Sequence, residues 1–423
     1  MDHSRIFPPT YGAGQSSTMK RHPNVTHVLI AGGGLTGSAL AIHLGRLGLS
    51  VELFERAHFP REKPCGEGLM PAGVAAIERL GLNARAGAPF EGVRYHFRDR
   101  VVEGRFPKVS GLPRLGRGLR RRELDNTLFE LAKRTPNVKV HTRALVEAPL
   151  VESGRVVGLI VNGALQYGDL IVGADGARSR LRHALTLDLP ARRKRVGVCT
   201  HFRLTPGRAV PKSVDVYLGH GYELYATPLP GGELLVAALA GAEALHSRLE
   251  DQFRRWCSAQ HHLAERLDGA ERTGDLLAVS PVSGRARQRF LPGFVLLGDA
   301  AGFSDPITGG GMTQALLSAE LLSQYVVRHA RASEHWLAEF DREREALLRD
   351  YRRLTALQLW LAEHQASLSI ALEAMRRLPR LFSHLLGVAG CTHQLWNAEF
   401  RNCMAAFADT AQSVVTTPRA QGD

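Results

Sequence analysis

The chain is poor in cysteine: five residues in 423 (Cys65, Cys199, Cys257, Cys391 and Cys403), odd in number and scattered. No C-x-x-C pair or histidine cluster at ligand spacing accompanies them, so neither a disulfide framework nor a metal site is expected. No run approaches the roughly 18 apolar residues of a membrane-spanning helix, and the N-terminus lacks the apolar core of a signal peptide. A soluble, cytoplasmic protein is the expectation. Aromatic residues are few, at 7%, and they do not interleave with the arginines. The net charge of +13 is therefore not read as nucleic-acid binding. No Ser/His/Asp constellation or carboxylate pair stands out, and no catalytic side chain is singled out.

What the chain does have is an ordinary globular composition, 44% hydrophobic and 22% charged, with length for two domains or one elaborated domain. Its most informative stretch is Val28 to Arg56, VLIAGGGLTGSALAIHLGRLGLSVELFER. An apolar strand enters a glycine turn, a helix-period segment follows, and a second alternating run ends at Glu55. Gly32, Gly34 and Gly37 keep the G-x-G-x-x-G spacing around Leu35 and Thr36. The first glycine permits a tight turn, the second lets a pyrophosphate approach the backbone, and the third lets helix press on strand. Helix N–H groups then face phosphate charge. Glu55, with Arg56 beside it, lies where an acidic residue accepts hydrogen bonds from a ribose diol. Strand, helix and acid together predict a dinucleotide site, without separating FAD from NAD.

Residues 1–24, rich in Ser, Pro, Gly and Thr, read as a disordered leader, with Met19 a second candidate start. PREKPCGEGLMPAGVAAIERLGL, from Pro60 to Leu82, is a basic glycine-marked loop entering an amphipathic helix. Its Lys63 can cap a pyrophosphate, and Gly66 lets backbone approach a flat ring. Cys65 is either a small buried filler or a thiol beside a redox cofactor. Helix Arg120 to Arg134 offers Arg121 one turn before Asp125, and a strand over Val138 to Leu150 follows. LIVGADGARSRLR (Leu170 to Arg182) ends a buried strand at Asp175, suited to a phosphate or ribose.

Val196 to Ala240 alternates as an antiparallel sheet, whose Tyr222 and Tyr225, near His220 and Glu223, either line a substrate face or pack. FVLLGDAAGFSDPITGGGM (Phe294 to Met312) ends a strand at Gly298 and Asp299. It then carries Pro306 and the Gly309, Gly310, Gly311 run into a long helix, whose N-terminus favours negative charge. Amphipathic helices over Glu339 to Leu361 and Leu368 to Leu386 come last.

Three separated stretches, the N-terminal glycine turn with Glu55, DGARSRLR and GDAAGFSDPITGGGM, resemble in order and content the FAD fingerprints of the para-hydroxybenzoate hydroxylase-like flavoproteins. That superfamily includes aromatic-ring monooxygenases, flavin halogenases and geranylgeranyl reductases. The resemblance covers about residues 25 to 330. It implies that Glu55 binds the adenosine ribose, the backbone near Val146 the adenine and Asp299 the ribityl chain. Pro306 to Met312 would lie along the isoalloxazine, Arg121 near the flavin or its phosphates, and Asp175 on the pyrophosphate side.

The implied fold is α/β, a doubly wound Rossmann-like FAD domain (25–88, 117–185 and 285–335). An antiparallel substrate sheet (89–116 and 186–284), C-terminal helices (336–408) and a tail (409–423) complete it. KPCGEGLMP resembles the KPCGGGL loop of geranylgeranyl reductases, and Gly302 stands where hydroxylases often carry His. GYELYATPLP departs from the reductases' Y-x-W-x-F-P pattern, with Leu224 taken as the tryptophan position, and it lacks the halogenases' W-x-W-x-I-P.

With no second G-x-G-x-x-G, NAD(P)H is expected only as a transient electron donor. The expectation is an FAD-dependent oxidoreductase, a monooxygenase hydroxylating a hydrophobic or aromatic small molecule ahead of a reductase saturating isoprenoid double bonds. Contact with a membrane or a carrier-bound substrate is a minority expectation.

Overall fold

A strand that is apolar at every position must be covered on both faces. The computed structural model describes residues 26–401 apart from 192, 330–333 and 399, and in it the strand His27–Ala31 is of this kind over its four buried positions, Val28 to Ala31. It pairs in parallel with Ser50–Glu55 on one side and Leu170–Gly173 on the other. Val138–Thr142 and Phe294–Leu296 extend the sheet outward, also in parallel, and Phe290–Leu291 closes one edge antiparallel.

Alternation divides the strand between two cores. Val28 and Ile30 pack with the helices Leu35–Arg46, Arg121–Arg134 and Gly311–Arg328 through Leu40, Leu44, Phe129 and Leu322. Leu29 and Ala31 face Val146, Val156 and Leu159 of a three-stranded sheet on the other side. The unit is doubly wound. Its carboxyl strand ends, at Ala31, Glu55, Gly173 and Leu296, gather at one edge, where such sheets bind ligands.

A second sheet of eight strands stands against that edge. Arg195–Arg203, Glu233–Gly241, Tyr222–Leu229 and Val214–Leu218 run antiparallel, and Gly92–Phe97 with Arg100–Arg105 complete the far end. The insertion after residue 88 therefore builds into the same sheet as residues 195–279. One pairing departs from the antiparallel expectation: Val214–Leu218 lies parallel to Gly92–Phe97. Phe97, Val102 and Phe106 of this end pack against Leu354, Leu372, Phe382 and Leu386 of the C-terminal helices.

Two expected elements divide. Val138 to Leu150 forms two strands in different sheets, Val138–Thr142 and Val146–Glu152, because Arg143 between them takes a φ of 55° and breaks the extension. Leu368 to Leu386 forms two helices, Gln365–Arg377 and Pro379–Ala389, after a 30-residue helix Glu334–Glu363. Leu378 precedes a proline and is driven out of the helical region, to φ −122° and ψ 78°. Residues 1–24 and 409–423, expected as leader and tail, and Cys403 lie outside the described residues. Among the described residues no helix is long and apolar enough to cross a membrane.

Candidate functional site: a nucleotide cradle opening into an apolar cavity

The glycine turn shows why its spacing is needed. Gly32 sits at φ +101°, and a Cβ there would lie 2.4 Å from the Ala174 carbonyl oxygen of the neighbouring strand end. A Cβ on Gly37 would lie 1.9 Å from the Gly32 oxygen, so the helix rests directly on the turn. Gly34 is the N-cap of helix Leu35–Arg46 and supplies no side-chain cap, which leaves first-turn N–H groups and the positive dipole end facing outward. The Glu55 carboxylate accepts from the Gly33 N–H at 2.8 Å and the Ala57 N–H at 2.7 Å. It is thereby fixed while its oxygens keep lone pairs for a diol.

From across the sheet edge comes Asp175. Its Oδ2 accepts from the N–H groups of Arg180 at 2.8 Å and Leu181 at 3.3 Å, while Oδ1 is buried with no partner. Lys63 donates to Asp299 Oδ2 at 3.2 Å, and its ammonium holds the Asp299 carboxyl below the usual carboxylate range against the effect of burial. Arg121 forks onto both Asp125 oxygens at 2.9 and 3.0 Å. Burial works against its charge, but Asp125 and then Cys65 prevail and push its pKa up.

The Cys65 loop is held from beneath by Glu67, a buried non-glycine residue at φ 55°. Its carboxylate accepts from the Arg121 N–H at 2.8 Å and pairs with His201 Nε2 at 2.9 Å, and its N–H donates to Cys65 Sγ at 3.3 Å. In the KPCGGGL pattern that position is glycine; here two hydrogen bonds offset the left-handed backbone. Cys199, also on the cavity wall, is a packing residue whose thiol burial pushes up to about 12.

These residues line one cavity of about 1170 Å³. Gly32, Gly34, Leu35, Thr36, Glu55, Arg56, Lys63, Cys65, Gly66, Arg121, Val146, Asp175, Gly298, Asp299, Pro306, Gly309, Gly311 and Met312 are all on its wall. Two expected residues are not. Gly37 lies behind the turn, and Gly310 packs away from the cavity, where its N–H donates to the Tyr351 hydroxyl at 3.3 Å and a Cβ would meet the Tyr351 ring at 2.5 Å.

The helix beginning at Gly311 has no side-chain cap, and the amide of cavity-lining Gln314 has a buried, unpartnered Nε2. Gln314 and the Asp175 Oδ1 are unsatisfied polar atoms on the wall of a cradle with a phosphate-facing helix end and a diol-facing acid. That donor and acceptor set fits FAD. The volume exceeds the roughly 300–1,000 Å³ of ordinary small-molecule pockets, which leaves room for a substrate.

The substrate side requires a correction of register. Side chains of a strand alternate, and in Tyr222–Leu229 it is Glu223, Tyr225 and Thr227 that reach the cavity. Leu224 points into the opposite core, Tyr222 stacks on Trp256 at 5.2 Å, and His220 is exposed. Counted back from Pro228, the tryptophan position of the reductase pattern is therefore Tyr225, not Leu224.

Two further residues that the sequence did not single out stand behind this wall and hold Glu223. Arg195 donates to Asp305 Oδ1 at 2.7 Å and to Glu223 Oε1 at 3.3 Å. Burial raises the pKa of both Glu223 and Asp305, each opposed by Arg195. Asp305 lay within a quoted motif; Arg195 carries no local signal at all. Among the described residues no group of His, Cys, Asp and Glu could hold a metal ion.

The family described as FAD binding domain matches residues 25–354. A digeranylgeranylglycerophospholipid reductase of Methanocella arvoryzae is 28% identical, over 76% of this chain and 83% of its own. A menaquinone reductase of Mycolicibacterium smegmatis is 30% identical over 70% of this chain and 76% of its own. A squalene epoxidase of Schizosaccharomyces pombe is 26% identical over 71% of this chain and 68% of its own. Among solved structures, a flavoprotein/dehydrogenase of Cytophaga hutchinsonii superposes with a TM-score of 0.79 at 20% identity, covering 92% of this chain and 99% of that one. The cradle, its unsatisfied polar atoms and these likenesses agree: the chain belongs to the FAD-binding-domain family, within the para-hydroxybenzoate hydroxylase-like flavoprotein oxidoreductases that its sequence resembles.

Proposed function

We propose that the protein is an FAD-dependent reductase that saturates carbon–carbon double bonds of an isoprenoid chain, with NAD(P)H as a transient electron donor. The observation that carries this reading is the continuity of the cavity. From Cys65 and Met312 it runs on between the eight-stranded sheet and the C-terminal helices, past Leu354, Leu368, Met375, Phe382 and Leu385. A long aliphatic chain suits such a wall, because its burial is driven by apolar area alone.

Glu55 would hold the adenosine ribose of FAD, the N–H groups of Leu35 and Thr36 its pyrophosphate, and Asp299 with Lys63 its ribityl chain. Pro306 to Met312 would flank the isoalloxazine. Bound there, FAD supplies a hydride acceptor and donor, and the chain supplies position, exclusion of water and protons. The helix end at Gly311 favours the negative charge of the reduced ring. The names of two relatives, a digeranylgeranylglycerophospholipid reductase and a menaquinone reductase, and the KPCG loop support an isoprenoid substrate.

Access from a lipid phase is part of this proposal. Leu357, Trp360 and Ile370 line the cavity, yet they are 44%, 46% and 62% exposed. Single exposed apolar residues are ordinary, but three at the rim of an apolar cavity make a patch that a membrane surface can cover. Arg376 and Arg377 are exposed on the same helix as Ile370.

Hydroxylation, the first expectation from sequence, remains the second reading, favoured by the likeness to squalene epoxidase. The test is incubation of reduced holoenzyme with a digeranylgeranyl lipid, which has no quinone ring to take up hydrogens, in the absence of oxygen. A product heavier by two hydrogens supports reduction. Product that forms only with oxygen, and is one oxygen heavier, supports hydroxylation.

A further inference from the structure

Tyr225 has one proton and two acceptors. Its hydroxyl oxygen lies 2.6 Å from Glu223 Oε2 and 3.0 Å from the Ile307 carbonyl oxygen. A tyrosine hydroxyl can donate only once, so with an ionised Glu223 one of these contacts is two oxygens facing each other without a hydrogen. With a protonated Glu223 both are satisfied: the carboxylic acid donates to Tyr225 Oη, and Tyr225 donates to the Ile307 carbonyl. The other acid oxygen, Oε1, then accepts from Arg195 Nη2 at 3.3 Å, a long contact appropriate to a neutral carbonyl oxygen. The shorter bond from Arg195, 2.7 Å, goes to Asp305 and has the length of a charge-assisted pair. One guanidinium thus serves one carboxylate, and the second acid is kept neutral.

The charged and titratable groups facing this acid are few. Arg195 comes from its own sheet, Asp305 from the loop before Pro306, and Tyr95 from the strand Gly92–Phe97. Arg193, the other cation acting on Asp305, is paired with Glu363. Glu223 is 5% exposed, and burial acts in the same direction as the bonding, holding its proton. Both Glu223 and Tyr225 are on the cavity wall, and Ile307 belongs to the segment that would flank the flavin ring.

We propose that Glu223 and Tyr225 form the proton donor of the reaction, a neutral carboxylic acid relayed through a phenol to the substrate carbon next to the one that receives hydride. The inference rests on the reductase reading. In the step, the carbon–carbon π bond is broken and two C–H bonds form. One carbon takes a hydride, with two electrons, from reduced flavin; the other takes the Tyr225 proton. Glu223 reprotonates Tyr225 and is left as a carboxylate beside Arg195, to be restored by a proton from solvent. Flavin is oxidised by two electrons and the alkene is reduced by two. Arg195 and Asp305 are positioning residues, which fix the acid and set where the proton resides.

The test uses full-length holoenzyme and two readouts. Infrared difference spectra at neutral pH should show a protonated-carboxyl C=O band that shifts in heavy water, is absent from Glu223→Gln and is moved in frequency, not lost, in Tyr225→Phe. Absence of that band from the wild type overturns the proposal whatever the variants do. In anaerobic single turnover with a digeranylgeranyl lipid, Glu223→Gln and Tyr225→Phe should each slow substrate-driven flavin reoxidation about a hundredfold, the order of a general acid's contribution, with FAD content unchanged. Unaltered reoxidation in both overturns it. A wild type that shows the band but whose reduced flavin no isoprenoid oxidises refutes the reductase reading, and the donor role with it, while leaving the proton on Glu223.

Discussion

Lys63 and Asp299 stand 236 residues apart in the chain and 3.2 Å apart in space. One lies on the loop after the first βαβ unit, the other at the end of a strand on the far side of the sheet. They close the cradle around the place where a ribityl chain would run. Both side chains are 36% exposed, so solvent screening leaves the pair itself worth about 0.2–1 kcal/mol. Their larger effect is on the ligand. Asp299→Ala and Lys63→Ala should each weaken FAD retention about tenfold, with little change in melting temperature of the apoprotein. The double variant should lose less than the sum, because the pair acts jointly. Flavin fluorescence after gel filtration measures it.

The glycines divide into those needed by the fold and those needed by the ligand. A Cβ on Gly37 would sit 1.9 Å from backbone that cannot move aside, whereas a Cβ on Gly311 meets nothing within 4 Å. Gly37→Ala should therefore destabilise the protein by about 1–3 kcal/mol or more, as overpacking does. Gly311→Ala should leave unfolding within about 0.5 kcal/mol of wild type while lowering FAD affinity. Thermal unfolding of apoprotein and flavin titration separate the two.

The cradle was legible in the sequence because its parts are contiguous: strand, glycines and Glu55 follow one another in 28 residues, and each glycine has a local mechanical cause. The cavity's far wall was not. Counting from Tyr222 put Leu224 at the key position, and a slip of one residue in a strand moves every side chain to the other face. Gly310 is off the cavity wall for a reason equally remote in sequence, since only the packing of Tyr351 shows which member of the glycine run lies behind it. Arg195 pairs with a residue 110 positions downstream, and nothing near it in sequence announces the partner. Pro379, by contrast, was a visible breaker inside the span read as one helix.

If the apolar lobe holds the isoprenoid chain, filling it should hurt long substrates most. Leu385→Trp adds a ring to a lining position. It should raise KM about tenfold or more for a polyprenyl substrate, have a smaller effect on a short-chain analogue, and leave reduction of the flavin by NAD(P)H unchanged. Steady-state kinetics with two chain lengths checks this. Equal effects on both substrates would place the chain elsewhere.

Burial raises the pKa of Glu223, so in the folded state this acid holds a proton that an unfolded chain would release. The stability it contributes is fully present below the ordinary carboxylate pKa and is lost as pH rises through the raised value. Glu223→Gln keeps the group neutral at every pH. Its denaturation midpoint should fall less steeply than that of wild type as pH rises above the ordinary carboxylate range. Parallel pH profiles would contradict a neutral buried Glu223.

The most direct measurement is anaerobic stopped-flow spectroscopy of the chemically reduced holoenzyme, mixed in turn with a digeranylgeranyl lipid, whose only reducible groups are its double bonds, and with oxygenated buffer. The account predicts that the isoprenoid alone restores the oxidised flavin spectrum, with a product gaining two hydrogens, and that oxygen without it gives only peroxide. A flavin that stays reduced with the isoprenoid, but forms an oxygen adduct whose decay the substrate accelerates, would contradict it.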